Sequence, residues 1–229
     1  YRNTLLALRK AGAIEFIDSK ADEELSEDKI EYEVNNPDNP GEIPDSIKPE
    51  NIRWIASEGT QVVFIGDYLH YGAHPVDSAR LVMELEKKAE AQGSRVIALM
   101  GNHDEQYLRY IEENEDIVAG DKDEQFKISS GTAPVNPKIA KSIRENPEIH
   151  EWLKSRPLVA KVNNFLFSHW KPIPNVESIE SLDKALQGDT ARFSVLGVGS
   201  RPLTEDEVLV EQQLNAKALE RFEADHLVV

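Results

Sequence analysis

Two short apolar runs on either side of an amphipathic helical pattern constrain the fold of this chain most strongly. Residues 62–65 (VVFI) and 96–100 (VIALM) have the length and continuity of buried strands. Between them, Pro75 can begin a helix and Gly93 can end it. The apolar positions of that helix share one face: Ala79, Val82, Leu85 and Ala89. Strand, helix and strand in this order predict a βαβ unit with parallel strands, because such a crossover is almost always right-handed.

Patterns elsewhere in the 229-residue chain extend this α/β prediction. Residues 19–50 carry many acids, four prolines and few apolar side chains, which predicts a solvated insertion or linker outside the core. The other predicted elements are helices at 4–11, 104–115, 137–155 (broken at Pro147), 177–187 and 205–222, a hairpin at 158–170 that turns at Asn163-Asn164, and a final strand at 226–229.

Composition excludes several classes of protein. The formal net charge of −16 argues against a nucleic-acid-binding surface, because phosphate backbones are bound by clustered Lys and Arg. The absence of cysteine excludes thiolate metal ligands, disulfides and a cysteine nucleophile. No apolar run approaches the roughly 18 residues of a membrane span. We therefore expect a soluble protein, with the cytoplasm slightly favoured over the periplasm or secretion.

The two ends of the sequence predict a fragment. The chain starts at Tyr1 rather than at a methionine, and its last residues, HLVV, predict a buried strand with nothing after it. We expect a piece of a longer protein, cut at both ends.

Polar side chains follow three of the predicted strands. Asp67 comes after VVFIG, Asn102, His103 and Asp104 come after VIALMG, and His169 comes after FLFS. In open α/β sheets, ligands bind beyond the carboxyl ends of the strands, and the glycines allow those ends to approach closely. Carboxylate, amide oxygen and imidazole are ligands for manganese, iron or zinc. The pattern therefore predicts a metal site in one shared cleft.

Each of these residues also has a purely structural alternative. Gly66-Asp67 can be an ordinary turn, Asn102 can occupy a left-handed turn position, and His169 can be a hydrogen-bonded interior histidine. These alternatives stay open for each residue alone, whereas the ordered combination at three strand ends favours a functional cleft.

The segments GDYLHYG, GNHD and FSH, in that order, resemble the middle motifs of the calcineurin-like metallophosphoesterases. The likeness is greatest to the branch of bacterial phosphoprotein phosphatases and diadenosine tetraphosphatases, and it covers nearly the whole chain. The family's first motif, Asp-x-His-Gly-Asp, and its last, Gly-His-x-His, are absent here, in agreement with a fragment. The resemblance implies an α/β fold, a four-layer α/β/β/α sandwich truncated at both ends, as a single incomplete domain over residues 1–229.

The resemblance also implies roles for individual residues. Asp67 would bridge two divalent metal ions (manganese, iron or zinc), and Asn102 and His169 would bind the second ion. His103 would act as the general acid that protonates the leaving oxygen. A hydroxide activated by the two metals would attack phosphorus, with an incomplete ligand set in the fragment itself.

The chain departs from the phosphatase pattern Gly-Asp-x-x-Asp-Arg-Gly at two positions. His70 replaces the acid that orients the catalytic histidine, and Tyr71 replaces the phosphate-binding arginine. Tyr71 can contact substrate or lie in a surface turn, and Arg201 is a second substrate-binding candidate. Asp104 is one candidate for orienting His103. The phosphorylated substrate stays open between a protein, a nucleotide and a small phosphomonoester.

Two functions are compatible with this pattern. The first is phosphoric ester hydrolysis by the full-length protein, favoured by the retention of Asp67, Asn102, His103 and His169 together. The second is a non-catalytic domain of the same fold that binds a partner or phosphate, favoured by the replacements at the position of the phosphate-binding arginine and its neighbour. The presence or absence of the two flanking motifs in the full-length protein separates the two.

Overall fold

The structure is a computed structural model that describes residues 1–36, 41–69, 72–113, 135–169 and 226–228. Helices and strands both occur in these ranges, so the α/β class predicted from the sequence is confirmed. In the described part of the chain, each helix is too short or too polar to cross a membrane. The helices predicted near 177–187 and 205–222 lie outside the described residues.

The chain divides into two compact units. The first comprises residues 1–62 and 68–97, and the second comprises residues 63–67 and 98–229, as far as these are described. The organisation of residues 1–229 as a single domain stays a prediction.

The first unit begins with a helix that is slightly longer than predicted. Its elements are α1 (Arg2–Lys10), β1 (Ile14–Phe16), α2 (Ala21–Glu24), α3 (Glu27–Asn35), two 3₁₀ turns (Asp45–Ile47 and Pro49–Asn51), β2 (Ile52–Trp54) and α4 (Pro75–Glu90). Strands β1 and β2 pair in antiparallel fashion, with Ile14 opposite Trp54. Helix α1 begins at Arg2 rather than near Thr4, because Arg2 is buried on the same face as Leu5.

Strands β3 (Gln61–Phe64) and β4 (Arg95–Ala98) form the predicted βαβ unit with α4 between them. The Arg95 N–H donates to the Thr60 carbonyl at 2.8 Å, and the Leu99 N–H donates to the Phe64 carbonyl at 2.9 Å. Because both partners advance in the same direction, the strands are parallel, as predicted. The predicted apolar face of α4 is also buried: Ala79, Val82, Leu85 and Ala89.

The acidic segment 19–50 contributes to the core, so the prediction that it is a solvated stretch outside the core is wrong. Ala21, Leu25 and Ile47 are all buried. The acid-rich composition was misleading because these three apolar side chains are enough to anchor the segment, although Tyr32 and Val34 are exposed. One of its acids, Glu33, is buried as well, because it forms an ion pair with Arg2 of α1.

We expect Glu33→Gln to destabilise the first unit by about 3 kcal/mol, because the buried Arg2 guanidinium then keeps only the Glu24 carboxylate, 3.7 Å away, as an ionic partner. The Glu33 and Arg2 side chains are only 8% and 7% exposed. A matched control is Asp22→Asn, whose ion pair with Arg9 is 61% and 40% exposed and should contribute about 1 kcal/mol at most. Urea unfolding of both variants measures the difference. Equal, small losses would show that the Glu33 pair does not anchor this segment.

The second unit contains helices and a small mixed sheet. Its described elements are α5 (Asn102–Glu113), α6 (Pro137–Arg144), α7 (Pro147–Lys154), β5 (Val159–Val162), β6 (Phe165–Ser168) and β7 (His226–Val228). The break at Pro147 and the hairpin of β5 and β6, with Asn163 at φ +53°, confirm the predictions for this region. Strand β7 pairs parallel to β6, with Leu227 opposite Leu166.

Candidate metal centre

Two glycine turns bring the ends of β3 and β4 into backbone contact. Gly66 (φ +99°) and Asp67 (φ +61°) both adopt the left-handed region after β3. A Cβ atom at Gly66 would lie 2.6 Å from the Gly101 Cα and 2.9 Å from the Met100 carbonyl carbon, closer than Cβ atoms approach other atoms in real structures. The close approach predicted for the glycines is therefore present at this turn.

We expect Gly66→Ala to destabilise the second unit by more than about 3 kcal/mol, because it combines a left-handed backbone with a collision against another backbone. Gly12→Ala is the control. Gly12 has φ +70° but nothing within 4 Å of an added Cβ. Gly12→Ala should therefore lower the free energy of unfolding only by the roughly 1–2 kcal/mol that the left-handed conformation costs. Denaturant unfolding of both variants tests this, and equal losses would mean that the two turns can separate freely.

The third strand end joins the first two through backbone hydrogen bonds. The Met100 N–H, beyond β4, donates to the carbonyl of Pro157 just before β5, at 2.9 Å. His169, directly after β6, has its Nδ1 atom 2.6 Å from the carbonyl oxygen of Ile65 after β3. These contacts explain how Asp67, Asn102 and His169 come together although they are far apart in sequence.

Two carboxylates tie the turns to one another. Asp104 is fully buried, and its Oδ2 accepts the backbone N–H groups of Asp67 at 2.8 Å and Gly101 at 2.9 Å. In return, Oδ1 of Asp67 accepts the backbone N–H of His103 at 3.0 Å. The negative charge of Asp67 thus lies at the N-terminus of α5, where the helix dipole favours it. Its second oxygen, Oδ2, faces the side chains of His103 and His169.

Three acceptor atoms converge beside these turns. His169 Nε2 lies 3.2 Å from Asp67 Oδ2 and 3.0 Å from Asn102 Oδ1. Because Nδ1 of the same ring donates its proton to the Ile65 carbonyl, Nε2 of the neutral imidazole carries a lone pair. A carboxylate oxygen and an amide oxygen then both lie within 3.2 Å of an unprotonated ring nitrogen, and these acceptors repel one another unless positive charge lies beside them.

The spacing and chemistry of these atoms fit a divalent cation. Two ligands at neighbouring positions of an octahedral ion with bonds of about 2.1 Å are about 3.0 Å apart, close to the observed 3.0 and 3.2 Å. Oxygen and imidazole donors without thiolate suit manganese, iron or zinc. Within the described ranges, no group of three His, Asp or Glu side chains could hold an ion. The third donor atom is the amide oxygen of Asn102, 3.0 Å from His169 Nε2.

The pKa shifts of His169 and Asp67 also indicate that this site favours positive charge. Burial alone lowers the pKa of His169, but the hydrogen bond to Asp67 and its charge raise that pKa above the ordinary value. Burial alone raises the pKa of the Asp67 carboxyl, but hydrogen bonds and charge from His169 and His103 bring it below the ordinary value. Without a cation, the pair therefore favours a proton on His169 Nε2 facing the Asp67 carboxylate, and a divalent ion would replace that proton.

His103 lies beside these three atoms rather than among them. Its Nε2 is 4.0 Å from Asp67 Oδ2, beyond hydrogen-bonding distance, and its side chain is 15% exposed. Burial is the main cause that lowers the pKa of His103, against the raising effects of Asp67 and of a hydrogen bond with the Gln106 side chain. Gln106 lies three residues further along α5, on the same helical face.

The structure brings together four of the residues predicted from the sequence: Asp67, Asn102, His103 and His169. Tyr71 and Arg201, together with His70, lie outside the described residues. The sequence did not predict Gln106 as a neighbour of His103, because the helix was predicted to begin at residue 104, whereas α5 begins at Asn102 and so places the two residues at i and i+3 of one helix. Asp104, considered as a partner for His103, instead uses Oδ2 to accept the backbone N–H groups of both turns.

Several phosphatases are similar to this chain. It is 28% identical over 124 residues to Shewanella-like protein phosphatase 1 of Plasmodium berghei (strain Anka), covering 52% of this chain and 31% of that protein. The chain thus spans about a third of the length of this curated relative. Crystal structures of a cold-active protein-tyrosine phosphatase, one from a psychrophilic Shewanella species, are 21% and 22% identical, with TM-scores of 0.45 and 0.47. They cover 76% of this chain, which covers 55% and 54% of theirs.

The match to a family is more extensive. Residues 47–196, more than half of the chain, match the family model of the calcineurin-like phosphoesterases. This range contains Asp67, Asn102, His103 and His169. The chain therefore belongs to the calcineurin-like phosphoesterase family.

Proposed function

We propose that the full-length protein hydrolyses phosphate esters in a metal-dependent reaction and that this chain supplies part of a dinuclear metal site. The observation that carries the proposal is the convergence of Asp67 Oδ2, Asn102 Oδ1 and His169 Nε2, with His169 Nε2 3.0 and 3.2 Å from the two oxygens. Membership of the calcineurin-like phosphoesterases supports the same chemistry.

The three converging residues would hold the metal. Oδ1 of Asp67 accepts the His103 backbone N–H, so Oδ2 is the oxygen through which Asp67 would hold the metal. Asn102 Oδ1 and His169 Nε2 lie 3.0 Å apart and would bind the second ion. When bound, two divalent ions lower the pKa of a water molecule between them and neutralise the phosphoryl oxygens.

His103 is the residue we assign as general acid. Its ring lies beside the converging donors, with Nε2 4.0 Å from Asp67 Oδ2, so it can reach a leaving oxygen without competing for the ions. The hydrogen bond with the Gln106 side chain limits rotation of the ring. A positioned group that gives a proton to the departing oxygen contributes about 10²–10⁴ in rate.

The substrate is a phosphorylated protein, a nucleotide or a small phosphomonoester. Tyr71 stands where the related phosphoprotein phosphatases have an arginine, so the bidentate contact of a guanidinium with phosphate is absent at this position. The net charge of −16 disfavours highly anionic substrates away from the cleft. Both features favour esters with a single phosphate.

The experiment is an assay of the full-length protein after its metal has been removed with a chelator and manganese has been added back. We expect hydrolysis of p-nitrophenyl phosphate only when manganese is present. Phosphoserine peptide, mononucleotide and alkyl phosphate, compared under the same conditions, identify the substrate class. Metal-independent hydrolysis, or none with manganese, iron or zinc, would contradict the proposal.

The alternative is a non-catalytic domain that binds a partner or phosphate. The replacements at His70 and Tyr71 favour it, because they remove an acid and an arginine of the phosphatase pattern. Binding of inorganic phosphate in calorimetry, without turnover of any of the four esters, is the result that would support this alternative.

A further inference from the structure

Asp104 combines a local helix cap with a contact to a distant turn. The Glu105 N–H bonds to the Gly101 carbonyl at 3.2 Å, so Gly101 is the N-cap of α5 and Asp104 is its third helical residue. A side chain at this position that accepts the N-cap N–H forms one half of a capping box, since Gly101 has no side chain to supply the other half. The same Oδ2 atom also accepts the backbone N–H of Asp67 at 2.8 Å, which a purely local cap does not require.

We infer that Asp104 is a positioning residue that couples the two ligand-bearing turns and thereby sets the distance between Asp67 and Asn102. This inference rests on the proposed function in that it assigns those two residues to the metal. Asp104 is not itself one of the three converging donors; it acts through the backbone N–H groups that it binds.

The geometry makes the coupling reciprocal. The backbone of Asp67 donates to the Asp104 side chain, and the side chain of Asp67 accepts from the backbone of His103, one residue before Asp104. The two bonds together fix both the position of the Asp67 backbone and the direction of its carboxylate. They also hold Asp67 at φ +61°, which is unfavourable for residues other than glycine. Asn102 lies between Gly101 and His103, so its backbone is held on both sides.

Loss of the Asp104 oxygen would leave two N–H donors without this partner, that of Gly101 in a buried setting and that of Asp67 in a part-buried one. Unpaired buried N–H groups are costly, so the turns would move until water or another acceptor reaches them. A movement of this kind would separate Asp67 Oδ2 from Asn102 Oδ1. The expected consequence is weaker metal binding, of the 10–100-fold size typical of residues that orient metal ligands.

The test compares Asp104→Asn with Asp104→Ala in the full-length protein. Both N–H bonds end on one oxygen, so the amide oxygen of the Asn variant can accept them, whereas the Ala variant has no acceptor. Glu112→Ala is the control, because it removes an exposed carboxylate from the far end of the same helix. The readouts are manganese affinity by calorimetry and hydrogen exchange of the Asp67 and Gly101 amides in the metal-free protein.

We expect Asp104→Asn and Glu112→Ala to keep amide protection and manganese affinity close to those of the wild type. Asp104→Ala should lose protection at both amides and bind manganese about 10–100-fold more weakly. Wild-type affinity in a folded Ala variant would overturn the inference, and so would equal weakening in the Asn and Ala variants, which would indicate an effect of charge.

If the Ala variant does not fold, the Asn variant decides: retained affinity supports the inference, and weakening overturns it. A wild type that binds no manganese would contradict the proposed function, while amide protection would still test the coupling.

Discussion

Replacing His103 by Asn in the full-length protein should slow hydrolysis of an alkyl phosphate by about 10²–10⁴-fold, the usual contribution of a positioned general acid. Metal content should stay close to that of the wild type, because the His103 ring lies outside the three converging donors. The backbone N–H of residue 103, which binds Asp67, is unchanged by the substitution. Steady-state rates, with metal content measured on the same samples, test both expectations.

The effect should depend on the leaving group. Because nitrophenol is a fairly strong acid, nitrophenolate can depart without being protonated. Hydrolysis of p-nitrophenyl phosphate should therefore be slowed much less than that of an alkyl ester in the His103→Asn variant. His150→Asn, on α7, is the matched control and should leave both rates unchanged. Equal losses of rate on the two esters would contradict the general-acid role. Loss of metal from the His103 variant would indicate that this residue is a metal ligand instead.

Replacing Asp67 by Asn should weaken manganese binding by more than about 100-fold, beyond the effect of changing a residue that only orients a ligand. Asn tolerates the left-handed backbone at this position, and its amide oxygen can still accept the His103 N–H. The fold is therefore preserved, while the anionic Oδ2 that faces His169 is replaced by a neutral N–H donor. Calorimetric titration with manganese measures the loss.

The control for Asp67→Asn is Asp77→Asn, on α4. Asp77 is 44% exposed and pairs with Arg80 of the same helix, so its replacement should change neither metal affinity nor stability appreciably. Urea unfolding of the Asp67 variant, run in parallel, separates a lost ligand from a lost fold. Wild-type manganese affinity in a folded Asp67→Asn variant would exclude Asp67 as a ligand.

The elements that the sequence predicts well are those whose signals are local. Pro75, Gly93 and the apolar spacing between them define α4, and the apolar runs on either side define β3 and β4. The segment 19–50 was predicted wrongly because its burial depends on a partner distant in sequence. Glu33 is buried through its ion pair with Arg2, and no pattern within the segment indicates that contact.

The candidate site, like the fold, could be predicted from the sequence only in part. The positions of Asp67, Asn102 and His169 after predicted strands were enough to expect a shared cleft, and their donor atoms do lie together. The different partners of the two Asp67 oxygens could not be predicted, because they depend on the φ of +61° at that residue. The double hydrogen bond of Asp104 likewise requires the contact between the two glycine turns.

The measurement that tests the central claim most directly is anomalous X-ray scattering from crystals of the full-length protein grown with manganese. A strong manganese peak within about 2.0–2.3 Å of Asp67 Oδ2, Asn102 Oδ1 and His169 Nε2 is the expected result. Crystals that contain manganese elsewhere, with His169 Nε2 still 3.2 Å from Asp67 Oδ2 and 3.0 Å from Asn102 Oδ1 and no manganese peak beside them, would contradict it.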